Sequence, residues 1–190
     1  MHKTAISLHN SQGQRKYLNQ DERLRFLEAT KRCRMDKKLF CQLLYYTGAR
    51  IAEIHNLTTY GIDFSNRTAV LETLKKRKKG VYREIPLPMP LLEDLQSYIR
   101  NLGNKNEAQR LWSFSLRSAS RYIKSVMHYA KIKGIQASAR GLRHGFAVHA
   151  VSIVPLTMVK KWLGHARLET TEIYLNVVGD EEREMAKRVW

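Results

Sequence analysis

In the segment LGHARLETTEIYL, residues 163–175, His165 precedes Tyr174 by nine positions, and two basic clusters upstream supply Arg50 and Arg143. These residue types suit the transfer of a phosphodiester to a side-chain oxygen. A free phenol has a pKa near ~10 and is a weak nucleophile, so an attacking tyrosine needs cations around its target. During the transfer phosphorus becomes five-coordinate and its non-bridging oxygens gain negative charge. Guanidinium groups answer that charge because they are planar, grip phosphate through two N–H donors and stay protonated. Arg50 lies in TGARIAEI, and Arg140 and Arg143 lie in ARGLRHGF. Each cluster is Gly-marked and apolar, a setting in which an unpaired charge would be costly.

The composition points to the same kind of partner. The 190-residue chain carries 34 Lys+Arg against 17 Asp+Glu, a formal net charge of +17. A balance this lopsided favours a polyanion, because each neutralised phosphate releases condensed counterions. Nucleic acid is the leading partner, although an anionic membrane surface or a ribosomal neighbour would also suit the charge. The longest near-apolar run, 147–156, is interrupted by His149, Ser152 and Pro155. It falls short of the ~18 residues that a membrane span needs. The first residues, MHKTAISLHNSQGQRK, contain no apolar core and no small-residue cleavage site, so a soluble, cytoplasmic protein is expected. Cys33 and Cys41 are the only cysteines and read as buried or half-buried free thiols rather than a disulfide or zinc site. His144 and His149 stand five apart, whereas a helical ligand pair wants about four. No metal and no cofactor are expected.

The elements that must position these residues are mainly helical. Residues 1–17 are polar, basic and aperiodic, and read as an arm or loose terminus ahead of a single domain over 18–190. Asn19 with Glu22 has capping-box spacing for a first helix to about Arg34, with Leu24, Leu27 and Phe26 on its apolar side. Asp36 is expected to cap a second helix that buries Leu39, Phe40, Leu43 and Leu44 and stops at Thr47-Gly48. A short third helix, RIAEIHNL, turns Ile51, Ile54 and Leu57 inward and leaves Arg50 and Glu53 on another side. From Arg67 the period changes to two, and KKRKKG separates two strands of an antiparallel hairpin ending at Pro86 and Pro88. Further helices follow: one around Leu91 to Ile99, one capped by Ser115, then 139–153, 156–163 and a short one over 170–176 that carries Tyr174. On the Ser115 helix an apolar stripe runs beside a basic one, Arg117, Arg121, Lys124, His128 and Lys131, which suits contact with phosphates. A charged final helix over 180–190 leaves Met185, Val189 and Trp190 needing a cover. The fold class is therefore mainly α with one small antiparallel hairpin or sheet.

TGARIAEI, RGLRHGF and WLGHARLETTEIYL, in this order, resemble the three signature segments of the tyrosine recombinase, or phage integrase, catalytic domain. The likeness covers about residues 17–190. It implies a site-specific recombinase or integrase of mobile DNA that cuts one strand by tyrosine attack, holds a 3′-phosphotyrosyl bond and reseals to another 5′-hydroxyl without metal or ATP. By this resemblance Tyr174 is the nucleophile, Arg50 and Arg143 clamp the scissile phosphate, and His165 donates a hydrogen bond to a non-bridging oxygen. Glu53 orients the clamp, and His144 has a structural or supporting role. The family's general-acid lysine sits on a β-hairpin. Lys75, expected opposite Arg83, is the first choice, with Lys76 and Lys78 in reserve. Lys76, Lys78, Lys79, Arg117, Arg121 and Lys124 are the expected DNA contacts.

The resemblance further implies double-stranded DNA as partner, a tetramer on paired sites with the C-terminal helix docking on a neighbour, an accessory DNA-bending protein and a place at the nucleoid. Two departures stand out. The second segment commonly reads His-x-x-Arg, but Arg140 occupies the first of those positions. An arginine cannot accept a proton near neutral pH, so deprotonation of Tyr174 falls to another group, to solvent or to a lowered phenol pKa. No separate N-terminal core-binding domain is expected ahead of the catalytic one, so the chain resembles the short, single-domain members, or a fragment. Competing readings are a DNA-binding regulator that kept the fold without strand exchange, a topoisomerase-like nickase and a basic RNA-binding protein.

Overall fold

Helix α2 (Met35–Thr47) organises the chain because it is apolar on nearly every side. Leu39 through Tyr45 are buried without a break, so the helix sits inside the protein rather than on its surface. In this computed structural model, which describes residues 7–74, 80–103, 109–176, 182, 183, 186, 187 and 189, α2 packs against α1 (Gln20–Thr30), α3 (Ile51–His55), α4 (Met89–Asn101), α5 (Leu116–Tyr129) and α6 (Ala139–Val151). Helix α7 (Leu156–Leu163) follows the break at Pro155, and α8 (Glu169–Glu172) runs into a 3-10 turn, Ile173–Leu175. Three short antiparallel strands, β1 (Ile62–Asp63), β2 (Thr68–Glu72) and β3 (Tyr82–Pro86), lie in chain order. The architecture is mainly α with a small antiparallel sheet, as the sequence implied. Among the described residues no helix is long and apolar enough to cross a membrane.

Most helix boundaries follow their capping chemistry. Asn19 and Glu22 form the complete capping box of α1, Ser115 accepts a hydrogen bond from the Ser118 N–H at the start of α5, and Gly48 ends α2 in the left-handed conformation at φ 60°. Several details differ. Helix α1 stops at Thr30, and it turns Arg23 and Phe26 inward while Leu24 is 51% exposed. The Arg23 guanidinium lies 4.5 Å from the centroid of the Tyr45 ring, a cation–π contact that takes the place an aliphatic residue would fill. Asp36 sits inside the first turn of α2, whose cap is Arg34. Leu116 is exposed, while Ala119, Ile123, Val126 and Met127 form the buried stripe of α5. Glu53 is buried too, at 3% exposure.

The hairpin register also differs from expectation. Leu71 pairs with Arg83 and Glu72 with Tyr82, and the Thr73 N–H bonds the Val81 carbonyl. Leu71, rather than the expected Lys75, is thus the residue opposite Arg83. The register is set by the inward residues Ala69, Leu71 and Ile85, which share one face of the pleat. Lys75, Lys76, Lys78 and Lys79 themselves fall outside the described residues, as does most of 180–190.

The described part of the N-terminal segment is packed, not loose. His9 bridges Arg15, and the Lys16 N–H bonds the Leu8 carbonyl, which closes a small turn. Leu8 and Tyr17 are buried at 3% and 2% in a second apolar cluster with Phe146, Val159, Leu163 and Tyr174. This escaped the sequence reading because two buried side chains nine positions apart make no periodic pattern. The strap then joins α6 directly, since the Leu18 N–H bonds the Gly141 carbonyl at 3.1 Å.

Gly145 lies where the strap crosses α6, and a Cβ built there would stand 2.5 Å from the Leu18 carbonyl oxygen. A methyl group cannot be accommodated against backbone without displacing it. Gly145→Ala is expected to lower the urea midpoint by a net destabilisation of about 1–3 kcal/mol, although alanine in a free helix would gain about 1 kcal/mol. An unchanged or raised midpoint would remove the strap's claim to be integral to the fold.

Candidate active site

Arg143, on α6, is almost completely buried, and its position is set by the ends of two other helices. Its Nη1 donates to the Gly48 carbonyl at 2.7 Å, and its Nη2 donates to the Leu163 carbonyl at 2.8 Å. Gly48 ends α2 and Gly164 ends α7, both in the left-handed conformation, at φ 60° and 65°. Helix C-termini carry unsatisfied carbonyls and partial negative charge, so two of them converging on a guanidinium stabilise a cation without a carboxylate. Burial lowers the Arg143 pKa to about 10, with a further push from Arg50. The group stays charged at neutral pH.

The second guanidinium is held by a carboxylate. Arg50 caps α3, and both its backbone N–H and its Nη1 donate to Glu53, at 2.9 and 2.8 Å. Glu53 also accepts from Arg83 Nη2 at 2.6 Å. Burial alone would raise the Glu53 pKa, but the hydrogen bond and charge of Arg83, followed by those of Arg50, hold it below its ordinary 4.5. Arg83 is a residue that the motif reading did not assign. On β3 it is 7% exposed, donates from Nε to the Trp162 carbonyl at 2.7 Å and from Nη1 to Thr73 Oγ1 at 2.9 Å, and so joins α3, the hairpin and α7. Arg83 lies two positions before Ile85 and so shares its inward face of β3.

The remaining groups come from α6 and the region after α7. His165 Nε2 lies 3.1 Å from Arg143 Nη2, and its Nδ1 lies 3.0 Å from Thr171 Oγ1. Arginine only donates, so Nε2 accepts and the ring proton resides on Nδ1, donated to Thr171. Donation from Nε2 to a phosphate oxygen requires the proton to reside there. Burial, then Arg143 and Arg50, push the His165 pKa down to about 3. Tyr174 stacks on this ring at 6.3 Å with the planes 12° apart, and its hydroxyl lies 2.9 Å from His144 Nδ1. Only 1% of Tyr174 is exposed. Burial raises its pKa, while Arg143 and Arg50 oppose the rise.

The fold thus gathers Arg50, Glu53, Arg143, His144, His165 and Tyr174 from four separated segments. Arg140 is exposed on the first turn of α6, and Arg117, Arg121 and Lys124 are exposed on α5. Among the described residues no cluster of three His, Cys, Asp or Glu side chains is suited to hold a metal ion. Cys33 is a half-buried free thiol and Cys41 a buried one.

The site thus joins arginines from two segments of a mainly helical domain to a histidine and a tyrosine. The phage integrase family matches residues 16–180 of this sequence, and the chain belongs to that family. It is 29% identical over 181 residues to the tyrosine recombinase XerA of Pyrococcus furiosus, covering 91% of this chain and 61% of that protein. It is 34% identical over 147 residues to a tyrosine recombinase of Pseudothermotoga lettingae, covering 76% and 50%. The chain therefore spans between half and two thirds of the length of these relatives. The crystal structure of XerA recombinase superposes with a TM-score of 0.78 at 24% identity, over 91% of this chain and 64% of that one. XerH bound to its difH substrate gives 0.73 at 21% identity over 96% and 59%. The catalytic domain of bacteriophage HP1 integrase gives 0.63 at 22% over 90% and 93%. These superpositions show the shared fold.

Two stability predictions follow from the charges. Arg83→Met leaves the buried Glu53 carboxylate with Arg50 as its remaining guanidinium partner and is expected to cost about 3–5 kcal/mol in urea unfolding, part of which returns in Arg83→Met/Glu53→Gln. Equal stability of the single variant and wild type would contradict the hub. His144, held to about 4, and His165, held to about 3, both ionise near 6.5 when unfolded. The unfolded chain therefore binds more protons below that value. Stability from both rings is complete above pH 6.5 and is lost as pH falls toward 4 and then 3. A flat stability profile across that window would refute their buried, neutral state.

Proposed function

We propose that this chain is the catalytic unit of a site-specific DNA recombinase of the tyrosine type. In this reading Tyr174 attacks the scissile phosphate and forms a 3′-phosphotyrosyl bond, which conserves the energy of the broken phosphodiester for resealing to a new 5′-hydroxyl. Arg50 and Arg143 hold the phosphate and stabilise its extra charge in the transition state, with Glu53 and Arg83 fixing the first and the ends of α2 and α7 fixing the second. The observation that carries the reading is the convergence of Tyr174 with Arg143, through His165 and His144. The net charge of +17 and the DNA in the XerH complex support duplex DNA as the partner. Arg117, Arg121 and Lys124, exposed along α5, are its backbone contacts in this reading. A tetramer on paired sites, with residues 180–190 reaching a neighbour, completes it.

The burial of Tyr174 at 1% favours a second reading, a DNA-binding protein that no longer exchanges strands. The two part on covalent chemistry. A pool of nicked duplexes with randomised cores, from which the short cut end diffuses away, should yield a protein–DNA adduct resistant to denaturant. The adduct should vanish in Tyr174→Phe. Arg50→Ala and Arg143→Ala should each slow its formation by about 10²-fold or more. Binding without adduct in the wild type supports the non-exchanging reading, and adducts that never yield joined product support a topoisomerase-like nickase.

A further inference from the structure

The Tyr174 hydroxyl is buried, so its proton needs an acceptor inside the protein. The neighbouring guanidinium of Arg143 has no lone pair to offer. His165 has both ring nitrogens engaged elsewhere, Nε2 with Arg143 Nη2 and Nδ1 with Thr171 Oγ1. His144 instead turns Nδ1 toward the hydroxyl at 2.9 Å, and the two rings are tilted by 49°. A phenol is the stronger acid of this pair and a neutral imidazole nitrogen the better acceptor. The hydrogen bond therefore runs from Tyr174 O–H to His144 Nδ1, with the His144 ring proton on Nε2.

We infer that His144 is the proton acceptor that activates Tyr174, a catalytic role that the departure at Arg140 leaves vacant. The inference rests on the proposed recombinase reading. In the cleavage step the Tyr174 O–H bond breaks, its oxygen bonds to phosphorus, and the proton passes to His144 Nδ1. The bond from phosphorus to the 5′-oxygen breaks, and that oxygen takes a proton from a general acid other than His144, the part that the resemblance gives to a hairpin lysine. In resealing the incoming 5′-hydroxyl loses its proton to that same group, and imidazolium returns the stored proton to the departing phenolate. Neither step consumes the histidine.

The surroundings of His144 couple this activation to the arrival of substrate. Burial, then Arg143 and Arg140 of α6 and Lys16 of the N-terminal strap, hold the ring at about 4, and Tyr174 and His165 complete its neighbours. Without DNA the imidazole is neutral and a weak base. A phosphodiester anion bound to Arg143 offsets the nearest of those positive charges. The proton affinity of His144 therefore rises as the phosphate is seated.

Two measurements test the assignment on the full chain. Nitrogen-15 NMR of histidine in the DNA-free protein should find His144 neutral with the proton on Nε2, and Tyr174→Phe should shift the Nδ1 resonance toward that of an unbonded imidazole nitrogen. A proton on Nδ1 overturns the inference. In the adduct assay with nicked duplexes, His144→Asn retains a hydrogen-bonding group but not a base. It should slow adduct formation by about 10²-fold while leaving filter-binding affinity for the same duplex within a factor of two to three. The loss should persist when the 5′-bridging oxygen is replaced by sulfur, which leaves without a proton. The rate in His144→Asn should climb with pH into the phenol range instead of levelling off as in the wild type. Wild-type rates in His144→Asn, or rescue by the sulfur substrate, overturn the inference and leave the recombinase reading standing. An absence of adduct from the wild type overturns both.

Discussion

Three guanidinium groups, of Arg50, Arg83 and Arg143, approach one another, and among the described residues the carboxylate that pairs with them is that of Glu53. Mutual repulsion would scatter them, and desolvation penalises each. Glu53 accepts from two of the three, and backbone carbonyls, Thr73 Oγ1 and His165 Nε2 take further donors of Arg83 and Arg143. Arg83 binds the Trp162 carbonyl, and Arg143 binds those of Gly48 and Leu163. The remaining architecture is organised around that arrangement. Helix α7 must end beside α2, the hairpin must bring Thr73 and Arg83 against α3, and α6 must cross beneath both helix ends.

Using helix ends in place of a second carboxylate has a chemical advantage. A carboxylate beside Arg143 would compete with an incoming phosphate and would repel it. Carbonyls orient the guanidinium while leaving its charge largely uncancelled. The site therefore retains an excess of positive charge, which adds to burial in depressing the pKa values of His144 and His165 and opposes the burial-driven rise of Tyr174. An anion relieves that excess. Binding energy and catalytic preorganisation then draw on the same unneutralised charge.

Much of this was legible in the chain because it rests on local rules. Capping residues marked α1 and α5, Gly48 and Gly164 marked two helix ends, and the apolar stripe of α5 was plain. The residues from TGARIAEI, RGLRHGF and the final segment do meet. What escaped was non-local. Arg83 reads as one more cation in a basic hairpin until the register places it opposite Leu71. Leu8 and Tyr17 are isolated apolar residues in a polar stretch, and only the fold reveals the cluster they enter. The bond between His144 and Tyr174 spans thirty positions, and no spacing rule could have supplied it. Expectations for Lys75, Lys76, Lys78 and Lys79 fall outside the described residues.

The near-complete burial of Tyr174 bears on how such a protein shares a cell with a whole chromosome. A chain carrying +17 favours polyanions of any sequence. Tyr174 lies within the 3-10 turn, its hydroxyl bonded to His144 and its ring stacked on His165. In the proposed recombinase reading, that burial keeps the nucleophile from phosphates met at random.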